Sequence, residues 1–119
     1  MGDFSSTHYR ADLIDGVTVF RILDKEVRDP DHATDLFRDV QQQAQQAGLA
    51  SVLIDLSETK HLSGMAFMVM MEIAHQVAAA RGRLALCNLD PHLRARAQLL
   101  RLQPYVEIYD DEPSALASF

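Results

Sequence analysis

The side chains with chemistry to offer are few and scattered. Five histidines, His8, His32, His61, His75 and His92, fall in different stretches of the chain, with no H-E-x-x-H helix and no Cys/His pairing. Zinc sites that announce themselves in sequence keep their ligands at short, fixed spacings, so this distribution predicts surface histidines, no metal site and no cofactor. Cys87 is the only cysteine and has no disulfide partner within the chain, which points to a reducing compartment. The sequence contains neither a glycine-rich phosphate loop nor a G-x-S-x-G nucleophile turn. Five acidic residues, Asp24, Glu26, Asp29, Asp31 and Asp35, crowd one stretch. A helix start there accounts for Asp29 and Asp31, and the group reads as a solvated acidic face able to steer a basic partner surface.

One segment joins hydroxyl groups to a helix start: Ser57, Thr59 and then Ser63-Gly64. A helix N-terminus offers unpaired N–H groups and the positive end of the dipole, which favour an anion. Ser63 suits the N-cap, a role worth about 1 kcal/mol. Ser63-Gly64 alone is not a catalytic motif, and a binding protein is expected here rather than an enzyme.

The elements that must position this segment follow from local signals. Two β-rich stretches, His8 to Ile14 and Val17 to Leu23, flank Asp15-Gly16, whose glycine can take the positive φ of a hairpin turn. Asp29-Pro30 caps and opens a helix in which Ala33, Leu36, Phe37, Val40, Ala44 and Ala47 form one face, with Gly48 past its end. Val52-Leu53-Ile54 and Leu84-Ala85-Leu86-Cys87 read as strands buried on both faces. A helix from about Gly64 to Arg81 lies between them. Asp90-Pro91 opens a helix to about Leu102, Val106, Ile108 and Tyr109 suggest a last strand, and Glu112-Pro113 a short terminal helix. The predicted fold is α/β: a mostly parallel sheet of about five strands with an antiparallel N-terminal edge pair, flanked by about four helices.

Ile54-Asp55-Leu56-Ser57, the loop to His61-Leu62-Ser63-Gly64 and the helix behind it resemble the STAS domain, the fold of the anti-sigma factor antagonists. Arg81-Gly82-Arg83-Leu84 is similar to that family's R-G-[GR]-L strand entry, and Asn88-Leu89-Asp90-Pro91 to the turn that follows it. The family's D-S-[ST]-G phosphorylation motif is degenerate. Laid without a gap from Asp55 to Arg83, the pattern puts Ser63 on its Asp, Gly64 on the phosphorylated Ser, Met65 on the next hydroxyl residue and Ala66 on its Gly. A placement with a two-residue deletion puts His61 at the Asp and Leu62 at the acceptor. Either way the usual phosphoacceptor serine, whose phosphate the family would hold at the helix start to repel a docked partner, is missing; the resemblance then leaves Ser63, Ser57 and Thr59 as the candidate phosphorylation sites.

On the helix after Gly64, the polar residues Glu72, His75 and Gln76 share a face with Met65 and Met68, and Phe67, Met70, Met71, Ile73, Ala74, Val77 and Ala78 form the expected buried side. An exposed methionine pair beside a helix start suits an adaptable protein-docking surface. Ser63, Gly64, Met65, Met68 and Glu72 are therefore the candidate partner-binding residues. The resemblance implies an anti-sigma factor or serine kinase as the partner, in a partner-switching pathway that regulates transcription. The alternative is a structural subunit of a larger transporter-associated or stress-sensing assembly.

Size and charge fit this reading. At 119 residues, 48% hydrophobic and 24% charged, the chain is expected to form one domain over 1–119 with one core. Its net charge of −6 has the wrong sign for a nucleic-acid binder or an anionic membrane surface. No apolar run approaches the roughly 20 residues of a membrane span, and the N-terminus lacks the pattern of a signal peptide. Met1-Gly2 with Ser6 fits the loose myristoylation pattern, but no basic cluster follows to strengthen a single acyl anchor. The expected protein is a cytoplasmic monomer or weak dimer.

Overall fold

The computed structural model describes residues 7–102 and 105–119, so the Met1-Gly2-to-Ser6 pattern lies outside the described residues. Strands β1 (Tyr9–Ile14) and β2 (Val17–Ile22) form the expected antiparallel hairpin. Asp15 and Gly16 both have positive φ, 51° and 82°, the turn whose twist matches that of the paired strands. Helix α1 (Pro30–Gln46) starts at Asp29, whose carboxylate accepts from the His32 amide at 3.0 Å. Strand β4 (Ser51–Asp55), helix α2 (Gly64–Ala79), strand β6 (Arg83–Cys87), helix α3 (Pro91–Leu99), strand β7 (Glu107–Tyr109) and helix α4 (Glu112–Ala117) complete the main order. The sheet runs β1-β2-β4-β6-β7, parallel everywhere except the β1–β2 edge pair.

Side-chain alternation divides the core between the sheet's two faces. Phe20, Ile22, Val52, Ile54, Leu84 and Leu86 join the large cluster with residues of α1, α2 and α3. Val17, Val19, Leu53, Ala85 and Cys87 join a smaller one roofed by Ala115 of α4, with Leu116 and Phe119 against it. Strands β4 and β6 are thus apolar on both faces because both faces are covered. Tyr9 anchors the edge strand by donating from its hydroxyl to Asp39 of α1 at 2.6 Å. Burial and that carboxylate together push the phenol's pKa up.

Two helices stop earlier than their pattern predicts. Helix α2 ends at Ala79 rather than near Arg81, and α3 at Leu99 rather than Leu102. Arg81 and Arg101 take φ of 61° and 56°, and the amides beyond them fold back: Gly82 to Val77 O at 2.8 Å, Leu102 to Ala97 O at 3.3 Å. These are Schellman closures. Helix α1 closes the same way through Gly48, where glycine announces the turn; arginine at the same position does not.

A second, two-stranded ladder lies beyond sequence prediction. Strand β3 (Glu26–Val27) pairs in parallel with β5 (His61–Leu62), turning what reads as an open loop into the platform on which α2 begins. Lys60 donates its amide to Lys25 O at 2.8 Å, and Ser63 donates to Val27 O at 2.6 Å.

Two residues at the ends of the elements, Gly82 and Asp55, set how β4 meets its neighbours. Gly82 enters β6 so close to β4 that a Cβ there would run into the carbonyl oxygens of Leu49 and Ala50. Asp55, buried at the end of β4, accepts from the Ser57 amide at 2.8 Å and the Asn88 side chain at 3.2 Å, closing β4 into its loop. Burial works against its ionisation. Hydrogen bonds from the Ser57 amide and the Asn88 side chain favour the carboxylate and hold its pKa below the ordinary value.

Gly82→Ala is expected to cost about 1–3 kcal/mol through backbone displacement, read as a lower denaturant midpoint with an unchanged slope. Ionised Asp55 contributes stability that is complete above the unfolded carboxyl's pKa of about 4 and is lost as pH falls through the lower folded value. Denaturation series run from about pH 5 down to about pH 2 are expected to show falling stability, with a shallower fall in Asp55→Asn.

Candidate functional site

The predicted site is built where β5 hands the chain to α2. Ser63 holds extended geometry, φ −63° and ψ 150°, and its hydroxyl accepts from the Met65 amide at 3.2 Å, as an N-cap does. Its own amide is fixed to Val27, so the capping residue is tied on both sides. Gly64 opens the helix, exposed, with space around it: a Cβ there would sit 3.8 Å from the Arg96 guanidinium. Arg96 reaches across from α3 to donate to the Leu62 carbonyl, and its guanidinium lies over the Phe67 ring, 5.1 Å from the centroid. No local spacing announces this arginine's part, since only the packing of α3 against the head of α2 brings it there.

Beside Gly64 the surface is apolar. Phe67, Met68, Met71, Leu100 and Leu102 line, with Gly64, a groove of about 170 Å³. Met68 is 59% exposed, as its spacing predicts, and Leu99, Leu100 and Tyr105 are exposed nearby in sequence at the end of α3 and beyond it. Tyr105 meets His75 with ring centroids 4.9 Å apart, connecting this region with the α2 face. Two expectations on that helix require correction. Met65 is half buried against the main core rather than exposed; Met71, packed against the same core as expected, also lines the groove. The cause is that α2 packs on α1 as well as on the sheet, so Ala66 and Val69 are buried and the buried stripe turns toward α1. Ala78, expected inside, is exposed for the same reason.

Other candidates have specific fates. Glu72 is exposed but clamped by Arg38 of α1, at 2.6 and 3.1 Å, and this hydrogen-bonded pairing holds its carboxyl below the usual range. Ser57 is exposed in the loop after β4. Thr59 is fully buried and its hydroxyl donates to the Asp24 carbonyl at 2.8 Å.

The histidines are less scattered than their spacing predicts. His61 and His92 lie edge to face at 6.3 Å, and His8 and His32 do so at 4.8 Å with Asp24 against both. Asp24 therefore leaves the expected solvated acidic face, on which Glu26, Asp29, Asp31 and Asp35 remain exposed. Asp24 is only 19% exposed at its side chain. No spacing rule would have found the trio, because its members stand 16 and 8 residues apart and meet through strand pairing.

No helix among the described residues is long and apolar enough to cross a membrane. No curated protein matches the sequence. Among solved structures, an anti-sigma-factor antagonist (STAS) domain protein from Planctomyces limnophilus superposes with a TM-score of 0.84 at 18% identity, covering 94% of this chain and 97% of that one. The anti-sigma factor antagonist SpoIIAA in its unphosphorylated form gives 0.68 at 17% identity over 92% and 94% of the two chains. The Bacillus cell fate determinant SpoIIAA in its phosphorylated form gives 0.68 at 18% identity over 92% and 97%. Likeness at such identities establishes the fold. A family profile for the STAS domain matches residues 9–115, nearly the whole chain, and on that match the chain belongs to the STAS domain family.

Proposed function

We propose that this protein is a non-enzymatic binding module, an anti-sigma factor antagonist that captures an anti-sigma factor of the serine-kinase type at the head of α2. The observation that carries this reading is the apolar groove opening at Gly64, with Met68 and Leu100 at its lip. A shallow apolar surface built from methionine and leucine suits another protein better than a polar metabolite. Ser63 and Gly64 present the helix start, Met65 supports it from beneath, and Glu72 extends the contact one turn beyond Met68. The exposed acids before and within the first turn of α1, with the net charge of −6, favour a partner with a basic surface.

In control by phosphate this protein differs from SpoIIAA. SpoIIAA has been solved in both phosphorylated and unphosphorylated forms, whereas here the acceptor position falls on Gly64 or on Leu62, depending on the placement of the motif. Ser63 already serves as the cap and Thr59 is buried. Release of the partner is accordingly governed by abundance or by a residue outside the motif.

Incubation with a kinase-type anti-sigma factor and ATP is expected to leave the intact mass unchanged. A stoichiometric phosphate mapped within residues 57–65 would overturn the loss of the switch. Met68→Glu and Leu100→Glu are each expected to weaken capture of that kinase by about tenfold or more, with unchanged thermal midpoints. Binding indifferent to both substitutions, or recovery of a fixed large assembly without any kinase-like protein, would sink the docking assignment.

A further inference from the structure

We propose that His8, Asp24 and His32 form a binding site for a divalent transition-metal ion of the zinc class. The three come from separate parts of the fold: His8 just before β1, Asp24 just after β2 and His32 in the first turn of α1. Nδ1 of His8 lies 2.9 and 2.8 Å from the two Asp24 oxygens, and Nε2 of His32 lies 2.8 Å from Oδ2. All three ligand atoms fall within 4.8 Å of one another. The side chains of His8, Asp24 and His32 are 30%, 19% and 31% exposed, sheltered yet open to an entering ion.

The donor set selects the class of ion. Two imidazole nitrogens and one carboxylate oxygen suit zinc and its borderline neighbours, whereas calcium and magnesium take oxygen ligands almost throughout. Bonds of about 2.0–2.1 Å at tetrahedral angles set ligand atoms about 3.3 Å apart. The two nitrogen-to-carboxylate separations near 2.8 Å must open by about half an ångström, and the two imidazole nitrogens, within 4.8 Å of each other, must settle to the same spacing, both by side-chain movement.

The backbones can stay where they are, because each is held by a bond outside the trio. His8 O accepts from the Leu23 amide at 2.8 Å, Asp24 O from the Thr59 hydroxyl at 2.8 Å, and the His32 amide donates to Asp29 at 3.0 Å. Ligands pinned on three elements are preorganised for a common ion, and three protein donors leave a fourth position for water or another ligand. The acidic balance of the chain favours cations at its surface.

Zn²⁺ alone, titrated calorimetrically into tag-free protein, is expected to bind one ion per chain. In the unmodified protein, ¹⁵N spectra of the imidazoles should shift for His8 and His32 and stay fixed for His61, His75 and His92. Asp24→Asn and His32→Ala should each weaken binding by about tenfold or more, while His61→Ala retains it. The imidazole spectra need no substitution, so they decide the matter even if a variant fails to fold. Absence of uptake at micromolar Zn²⁺, or shifts centred on His61 and His92, would overturn the assignment.

Discussion

The hydrogen bond from the Ser63 amide to the Val27 carbonyl, 2.6 Å long, fixes where α2 begins. Leu62 and Val27 are the last residues of the small parallel ladder, so the bond continues the ladder by one step and then releases the chain into a helix. Without it the cap could form at a neighbouring residue, and the groove wall would rotate with the helix. Arg96 secures the same junction from the other side through the Leu62 carbonyl. A helix start held from two directions presents a rigid first turn, the condition for a defined contact surface rather than an adaptable loop.

The main sheet supplies the ground for that junction. Strand β4 lies between β2 and β6 in parallel register, and Asp55 at its end collects the Ser57 amide and the Asn88 side chain. The loops leaving β4 and β6 are thereby joined at their roots. Below this edge the Cys87 thiol is buried in the smaller core, where burial raises its pKa well above the ordinary thiol value and keeps it unreactive.

How much of this was legible in the sequence depends on the range of the interaction. The hairpin and the helix starts were, because Asp15-Gly16, Asp29-Pro30, Asp90-Pro91 and Glu112-Pro113 act within one turn of themselves. The ends of α2 and α3 were not, since Arg81 and Arg101 adopt a left-handed conformation that glycine usually signals. The β3–β5 ladder joins residues 35 apart through only two pairs, too short to leave a periodic trace. At the site, the Ser63 cap and the exposed Met68 followed from spacing. The burial of Met65 and the exposure of Ala78 did not follow from a one-sided pattern, because α2 packs on both α1 and the sheet. Arg96 and the His8–Asp24–His32 trio depend on tertiary approach alone.

The strand order leaves β1 and β7 at the two rims of the sheet. Rim strands are templates for stacking one molecule's backbone onto the next, the first step toward fibrils. Along β1 the charged Arg10 and Asp12 are exposed, and β7 is three residues long with Glu107 outward. A second molecule laid against β1 would have to strip water from Arg10 and Asp12, and one laid against β7 would find too little backbone to grip, so both rims discourage runaway polymerisation.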